Sequence, residues 1–212
     1  MKRRILEPIE RVSEVLFGLI MVLTFTGSLS AAEAGHADVR SMLIAALGCN
    51  LAWGIIDGVM YLMSCLAEQG HELATLRTLR AATDVQAARQ ALASALPAFV
   101  APVARPEELD ALAERLKAQA EPGSPTLGRY ELLGALSVLL WVFVTTFPVA
   151  LPFLFVSEPA RALRLSNAVA LGLLYLTGHA LGRITGHSRW LTGLVMVALG
   201  AILVALTIAL GG

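Results

Sequence analysis

The chain contains few charged, aromatic and cysteine residues for its length. Only 15% of its 212 residues are charged and 6% are aromatic, whereas 57% are hydrophobic. The mean hydropathy is +0.71. This balance excludes an ordinary soluble domain and is typical of a membrane protein. The formal net charge of +0 gives no indication of a nucleic acid or another polyanion as a partner.

Cysteine pairing and the common catalytic motifs are lacking as well. Cys49 and Cys65 both lie in one hydrophobic stretch, and on one helix they would stand ~24 Å apart, beyond disulfide reach. The sequence contains no HExxH, no GxSxG and no glycine-rich phosphate loop. We therefore expect no disulfide framework, no enzyme activity and no permanently bound cofactor.

Five hydrophobic stretches are each long enough to cross a bilayer as a helix. They are Val12–Ala32, Met42–Leu66, Tyr130–Val156, Leu163–Leu181 and Trp190–Leu210. The first imitates a secretory signal, but Glu7, Glu10 and Glu14 precede its apolar run, so we interpret it as a retained helix. In the third, Pro148 and Pro152 each remove a backbone donor and predict a kink.

Residues 68–129, between the second and third stretches, have a different character. Their leucines recur at helical spacing among arginines, and Pro106 stands at the first turn of PEELDALAERLKAQA, where proline is tolerated. This pattern predicts a soluble helical insert. The expected fold is all-α, a polytopic membrane protein of five transmembrane helices, with domains 1–67 (helices 1 and 2), 68–129 (insert) and 130–212 (helices 3 to 5).

The positive charges predict an orientation. Most arginines and lysines fall before the first helix, in the insert, or in the link that contains Arg183 and Arg189. Since cytoplasmic loops carry an excess of these residues, the N-terminus and the insert are expected in the cytoplasm. The C-terminus would then lie outside.

An acid inside the second stretch is the main candidate for function. Asp57 shares one helix face with Asn50, Trp53, Met60 and Ser64. Gly54 and Gly58 bracket it in a pattern that lets another backbone approach. An acid there costs about 2.5–3.5 kcal/mol on insertion scales. A partner side chain, a water-filled path, a bound cation or protonation must offset that cost. Asp57 is either a functional residue or a buried structural acid hydrogen-bonded to a neighbouring helix.

Several segments resemble the vacuolar iron transporter family. SEVLFGLIMVLTFTGSLSAA is similar to that family's first helix, and ALGCNLAWGIIDGVMYLM is similar to its second. FPVALPFLF and GLVMVALGAILVAL resemble its third and fifth helices. The order of two helices, a soluble insert and three helices also agrees. The resemblance implies a homodimer that exchanges ferrous iron or a related divalent ion for protons along a path between the first two helices.

The resemblance transfers two acids, Asp57 and, less closely, Glu14. The alternative for Glu14, at the edge of the first stretch, is an interfacial acid in headgroup water. The sequence departs from the family at Met21, where the family carries an aspartate, and at Trp53, where it carries a methionine. The family's insert is rich in glutamates that gather metal, whereas here the compact candidate cluster is Glu68, His71 and Glu72.

The sequence therefore predicts a proton-coupled transporter of a divalent cation such as Fe²⁺ or Mn²⁺. Oxygens of Asp57 and Glu14, with the sulfurs of Met21 and Met60, would suit such a borderline ion, and Asn50 shares the face. The alternative is a non-transporting membrane scaffold whose cytoplasmic insert binds a partner protein.

Overall fold

The structure is a computed structural model that describes residues 6–29, 36–97, 99–100, 102–120 and 123–209. Those residues form helices and contain no strand. The helices are α1 (Pro8–Leu29), α2 (His36–Ala81), α3 (Val85–Ala95), α4 (Pro106–Ala118), α5 (Arg129–Val144), α6 (Thr146–Ala150), α7 (Pro152–Phe155), α8 (Pro159–Thr185) and α9 (Arg189–Ala209). The all-α prediction is confirmed.

Four segments in the described part of the chain are long and apolar enough to cross a membrane. They are Leu43–Ala81, Arg129–Phe155, Pro159–Thr185 and Arg189–Leu206. These four contain the second to fifth predicted spans or overlap them, and they agree with a multi-pass membrane protein. The predicted first span, Val12–Ala32, is not among them, and its last residues lie outside the described part, so the count of five stays a prediction.

The second helix is longer than the sequence predicted. We expected it to end at Leu66, but α2 continues without a break to Ala81. The segment beyond Leu66 contains no proline and is rich in Leu, Ala, Glu and Arg, which are strong helix formers. The lone Gly70 lowers helix propensity without ending the helix. The side chains become polar after Leu66, but the backbone stays helical.

The third span is broken into three pieces, as its prolines predicted. One break falls at Thr145, between α5 and α6, and the other at Leu151, between α6 and α7. Pro148 has no N–H to donate to the carbonyl four residues earlier, at Val144, and Pro152 likewise leaves the carbonyl of Pro148 without its helical donor. The two breaks therefore follow directly from the proline positions.

The chain forms two compact units, one of residues 1–61 with 129–212 and the other of residues 62–128. In the first unit, α1 lies at the centre. Leu19 and Leu23 of α1 are 0% exposed and pack with Val149 of α6 and with Ala170 and Leu174 of α8. That residues 1–67 and 130–212 form the membrane part stays a prediction.

Glycines bring the helices of the first unit close together. A Cβ at Gly54 would lie 3.0 Å from the backbone oxygen of Leu139, and one at Gly58 would lie 3.1 Å from that of Ala135. Both contacts join α2 to α5. A Cβ at Gly178 would lie 2.7 Å from the carbonyl oxygen of Thr192 on α9. The small-residue pattern thus serves packing within one chain.

The second unit consists of the C-terminal part of α2 together with α3 and α4. Its core side chains are Leu79, Ala88, Leu92, Leu109 and Ala113. At the start of α3, Asp84 Oδ1 accepts a 2.6 Å hydrogen bond from the Ala87 N–H, a normal N-cap. At the start of α4, Pro106 takes the predicted first-turn place.

α3 and α4 are antiparallel. Arg89 donates two hydrogen bonds to Asp110, from Nε to Oδ1 at 2.9 Å and from Nη2 to Oδ2 at 2.6 Å. Towards the start of α3 and the end of α4, Val85 and Glu114 line one shared groove. The guanidinium of Arg89 holds the pKa of Asp110 below its ordinary value of 3.8, chiefly through the side-chain hydrogen bond.

Candidate ion-binding site between α1 and α2

Two contacts fix the register of α1 against α2. Asn50 Nδ2 lies 3.4 Å from the carbonyl oxygen of Gly18 and donates to it. The rings of Phe17 and Trp53 meet edge to face, with centroids 5.6 Å apart. Gly18 follows Phe17 on α1, whereas Asn50 precedes Trp53 on α2, so the two helices run antiparallel. Residues before Phe17 on α1 therefore lie opposite residues after Trp53 on α2.

This register brings the two predicted acids together. Glu14 precedes Phe17 by three residues and Asp57 follows Trp53 by four, so both lie about one helical turn beyond the aromatic contact. The negative charge of Asp57 acts on the carboxyl group of Glu14, which agrees with this placement. The sequence predicted both residues, but it gave no means of showing that they face each other.

The acid pair is half-buried and lacks partners in the described part of the chain. Glu14 and Asp57 are both intermediate in exposure. Neither carboxyl group has a hydrogen bond or an ion pair to any described residue. Two carboxylates that share a site without a cation repel each other and lose hydration. This arrangement favours the uptake of a positive charge, either a proton or a metal ion.

Asn50 lies at another level of the helix pair. It is seven residues from Asp57, or ~10 Å along the axis, and its side chain is 1% exposed. Its amide donates to Thr146 Oγ1 at 2.6 Å as well as to Gly18. Asn50 therefore links α1, α2 and α6, and these bonds explain its burial without an ion.

The two predicted sulfur ligands are not equivalent. Met60 follows Asp57 by three residues, on the same side of α2, but it is 57% exposed. Met21 is half-buried and lies seven residues from Glu14, ~10 Å along α1. Of the predicted set, Glu14, Asp57 and Met60 lie near one level, whereas Met21 lies nearer the level of Asn50.

The predicted cluster in the insert is placed on α2. Glu68, His71 and Glu72 lie at helical spacing and are all exposed. The described residues contain no group of three or more His, Cys, Asp or Glu side chains that could hold a metal ion. Metal binding by Glu68, His71 and Glu72 stays a prediction, without support from geometry.

Sequence reasoning missed the polar residues that accompany α1. Thr146 is 1% exposed and accepts from Asn50. Thr26 Oγ1 is 3.3 Å from Asn167 Oδ1, and Ser166 Oγ donates to the carbonyl of Val149 at 2.7 Å. Asn167 and Ser166 were visible as polar residues in an apolar stretch. Their partners depend on helix packing, which the sequence did not give.

A scan against protein-family models and a search of curated proteins both gave no match. The resemblance to vacuolar iron transporters therefore rests on the segments quoted above, and the geometry of the α1–α2 pair must carry the functional argument by itself.

Proposed function

We propose that the protein is a proton-coupled transporter of a divalent metal cation, with Glu14 and Asp57 as the residues that bind the ion. The observation that carries this proposal is the facing pair of half-buried carboxyl groups, which have no hydrogen-bonding or ionic partner among the described residues. Intramembrane acids are costly and usually serve an ion path. The apolar helices around the pair supply the bilayer setting.

The chemistry of two carboxyl groups accounts for coupling. Two carboxylates carry the charge that neutralises one divalent cation, and two protons neutralise the same pair. Metal and protons therefore compete for one site, and release of one allows binding of the other. An exchange of one M²⁺ for two H⁺ leaves the charge of the site unchanged, which avoids the cost of a buried net charge.

The donor atoms indicate the class of ion. Carboxylate oxygens suit hard ions, and a thioether adds affinity for softer ones. Met60, close to Asp57 in sequence and on the same side of α2, would give a mixed oxygen and sulfur set that suits Fe²⁺ or Mn²⁺ better than Mg²⁺. We place the N-terminus and the insert in the cytoplasm on the basis of the positive charges.

A homodimer is part of the proposal because the resemblance implies it. Glycines at four-residue spacing, such as Gly54 and Gly58 or Gly178 and Gly182, could serve dimerisation, but here they are occupied by α5 and α9 of the same chain. A second copy would instead cover exposed apolar residues of α2, such as Val59 and Met63. Mass measurement in detergent that returned only monomer at every concentration would contradict this part.

The proposal is tested by flux in sealed vesicles that contain the pure protein. Fe²⁺ or Mn²⁺ uptake should be accompanied by movement of protons in the opposite direction, which a trapped pH indicator reports. Glu14→Gln leaves one ionisable group, so we expect slower transport and a fall from two protons per metal ion to one. Uptake without any proton movement would contradict coupling through the pair.

The second candidate is a non-transporting scaffold. In its favour, α3 and α4 form a groove of about 360 Å³, whose lining includes the apolar Val85 and Ala88 and the acidic Asp110 and Glu114. Vesicles that take up no divalent ion under any proton gradient, with folded protein, would favour this candidate.

A further inference from the structure

The loop between α3 and α4 is apolar and exposed. Residues 96–104, here called the apolar loop, read LPAFVAPVA and include no charged or hydrogen-bonding side chain. Phe99 is 79% exposed and Val103 is 77% exposed. Exposed aromatic and branched side chains in adjacent turns usually mark a surface that another apolar phase covers.

The apolar loop is held in shape by its own backbone. The Val100 N–H donates to Pro97 O at 2.8 Å, and the N–H groups of Val103 and Ala104 both donate to Val100 O at 3.1 Å. Pro97 and Pro102 have no N–H at all. The described residues of the loop therefore offer few free backbone donors, which lowers the cost of placing them in a medium of low dielectric constant.

Helix lengths locate the apolar loop relative to the end of the apolar stretch of α2. α2 continues for fifteen residues from Leu66 to Ala81, or ~22 Å. α3 packs back along α2, because Leu76 and Leu79 of α2 share one core cluster with Ala88, Leu92 and Leu96 at and after α3. The 11 residues of α3 therefore return ~16 Å. The apolar loop therefore begins ~6 Å from the level of Leu66, where the hydrophobic stretch ends.

Two further contacts support this position. Arg80 Nη2 donates to the carbonyl oxygen of Gln119, so the end of α4 lies near the far end of α2. The 13 residues of α4 bring its start ~20 Å back toward Leu66. The Thr126 N–H donates to Gln69 Oε1 at 2.9 Å, so the chain leaves the unit at the same end.

We propose that the apolar loop inserts into the headgroup layer of the membrane that the chain spans, with Phe99 and Val103 as its anchors. The bilayer is the fitting partner for three reasons. The loop has no charge with which to recognise a polar ligand. It lies at the end of the unit where the hydrophobic stretch stops. Phe99 and Val103 are left uncovered by the described part of the chain, whereas Leu96 and Ala104 at the two ends of the loop pack on the core of the second unit. The anchor fixes the α3–α4 hairpin against the lipid surface. It does not depend on transport.

The test uses the full-length protein with Cys49 and Cys65 replaced by serine, reconstituted in lipid nanodiscs. Single cysteines from Phe99→Cys, Val103→Cys and, as a control, Val85→Cys are labelled with an environment-sensitive fluorophore. Val85 is also exposed, at 59%, but it begins α3 at the opposite end of the hairpin. All three positions tolerate a label because none is part of the core.

Lipids with a quencher near the headgroup end of the acyl chain should quench the labels at 99 and 103 several-fold more than the label at 85. Aqueous iodide should show the reverse order. Equal lipid quenching at all three positions, with full access to iodide, would overturn the proposal. Protection of positions 99 and 103 from both quenchers would also overturn it, because protein rather than lipid would then cover the loop.

Discussion

The side-chain amide of Asn50 donates a 2.6 Å hydrogen bond to Thr146 Oγ1 and a longer one to the carbonyl oxygen of Gly18. One buried residue thus joins α2 to both α1 and the proline-broken third span. Because Asn50 sets the register of α1 against α2, it also sets which α1 residue faces Asp57. Its role is to position the acid pair from two turns away.

Replacing this amide should destabilise the protein. Asn50→Leu keeps the side-chain volume but leaves the Gly18 carbonyl without this donor and Thr146 Oγ1 without its donor, at a cost of about 1–3 kcal/mol. Ser137→Ala is the matched control, because Ser137 is half-buried and its hydroxyl donates within its own helix, to Leu133 O. Thermal unfolding in detergent measures both. Equal melting temperatures would show that the Asn50 bonds do not hold the helices.

Glycine packing gives a second stability prediction. A Cβ at Gly18 would lie 2.1 Å from Thr145 Oγ1 and 2.7 Å from the Val142 backbone oxygen, so Gly18→Ala forces α1 away from α5 and should lower the melting temperature. Gly172, in the middle of α8, has no atom within 4 Å of its Cβ position. Gly172→Ala should be neutral or stabilising by roughly 0.5–1 kcal/mol. The same effect from both variants would contradict the close approach of α1 to α5.

The orientation is tested by labelling single cysteines from one side of the membrane. In a background without Cys49 and Cys65, Ser94→Cys in α3 and His187→Cys in the α8–α9 turn should react from the same side. Glu158→Cys, before α8, should react from the other. All three residues are exposed. Ser94 and His187 reacting from opposite sides would contradict the proposed path of the chain.

The insert should lose stability in acid through Asp110. Its pKa is lower in the folded protein than the ordinary 3.8, because Arg89 is hydrogen-bonded to it. A depressed folded pKa gives stability that is present above the unfolded pKa and is lost as the pH falls through the folded one. Asp110→Asn should therefore flatten the dependence of insert unfolding on pH below about 4. A fluorescent probe on α3 of the full-length protein follows the unfolding of the insert. If the dependence of unfolding on pH is the same in Asp110→Asn and the wild type, Asp110 does not contribute to the loss of stability in acid.

Hydrophobic length and proline positions were sufficient to predict an all-helical chain and four of its candidate membrane spans. Apolar stretches long enough to span a bilayer located the second to fifth spans, and Pro148 and Pro152 predicted the breaks in the third. The predicted end of α2 at Leu66 was wrong, because we took a change from apolar to polar residues as a helix boundary. Leu66 is the last residue of the apolar stretch. The polar residues after it retain strong helix propensity, so α2 continues to Ala81.

The candidate site was predicted only in part. An acid in an apolar helix is visible in sequence, so Asp57 was found without a structure. That Glu14 faces it depends on the α1–α2 register, which packing at Gly18 and Trp53 sets. Asn50 shares a helix face with Asp57 and was grouped with it for that reason, but seven residues separate them along the axis. A shared face does not mean a shared site.

The central claim is that Asp57 binds the transported ion, and metal-driven proton movement in vesicles that contain Asp57→Asn tests it most directly. The amide is nearly the same size and is cheaper to bury than a carboxylate, so the fold and melting temperature should be kept. The amide can neither ionise nor neutralise a divalent ion, so metal uptake and the accompanying proton flux should both be lost. Ser64→Ala, on the same face of α2 but seven residues after Asp57, should retain both the metal uptake and the proton flux. A folded Asp57→Asn protein that transports metal at the wild-type rate would contradict the account.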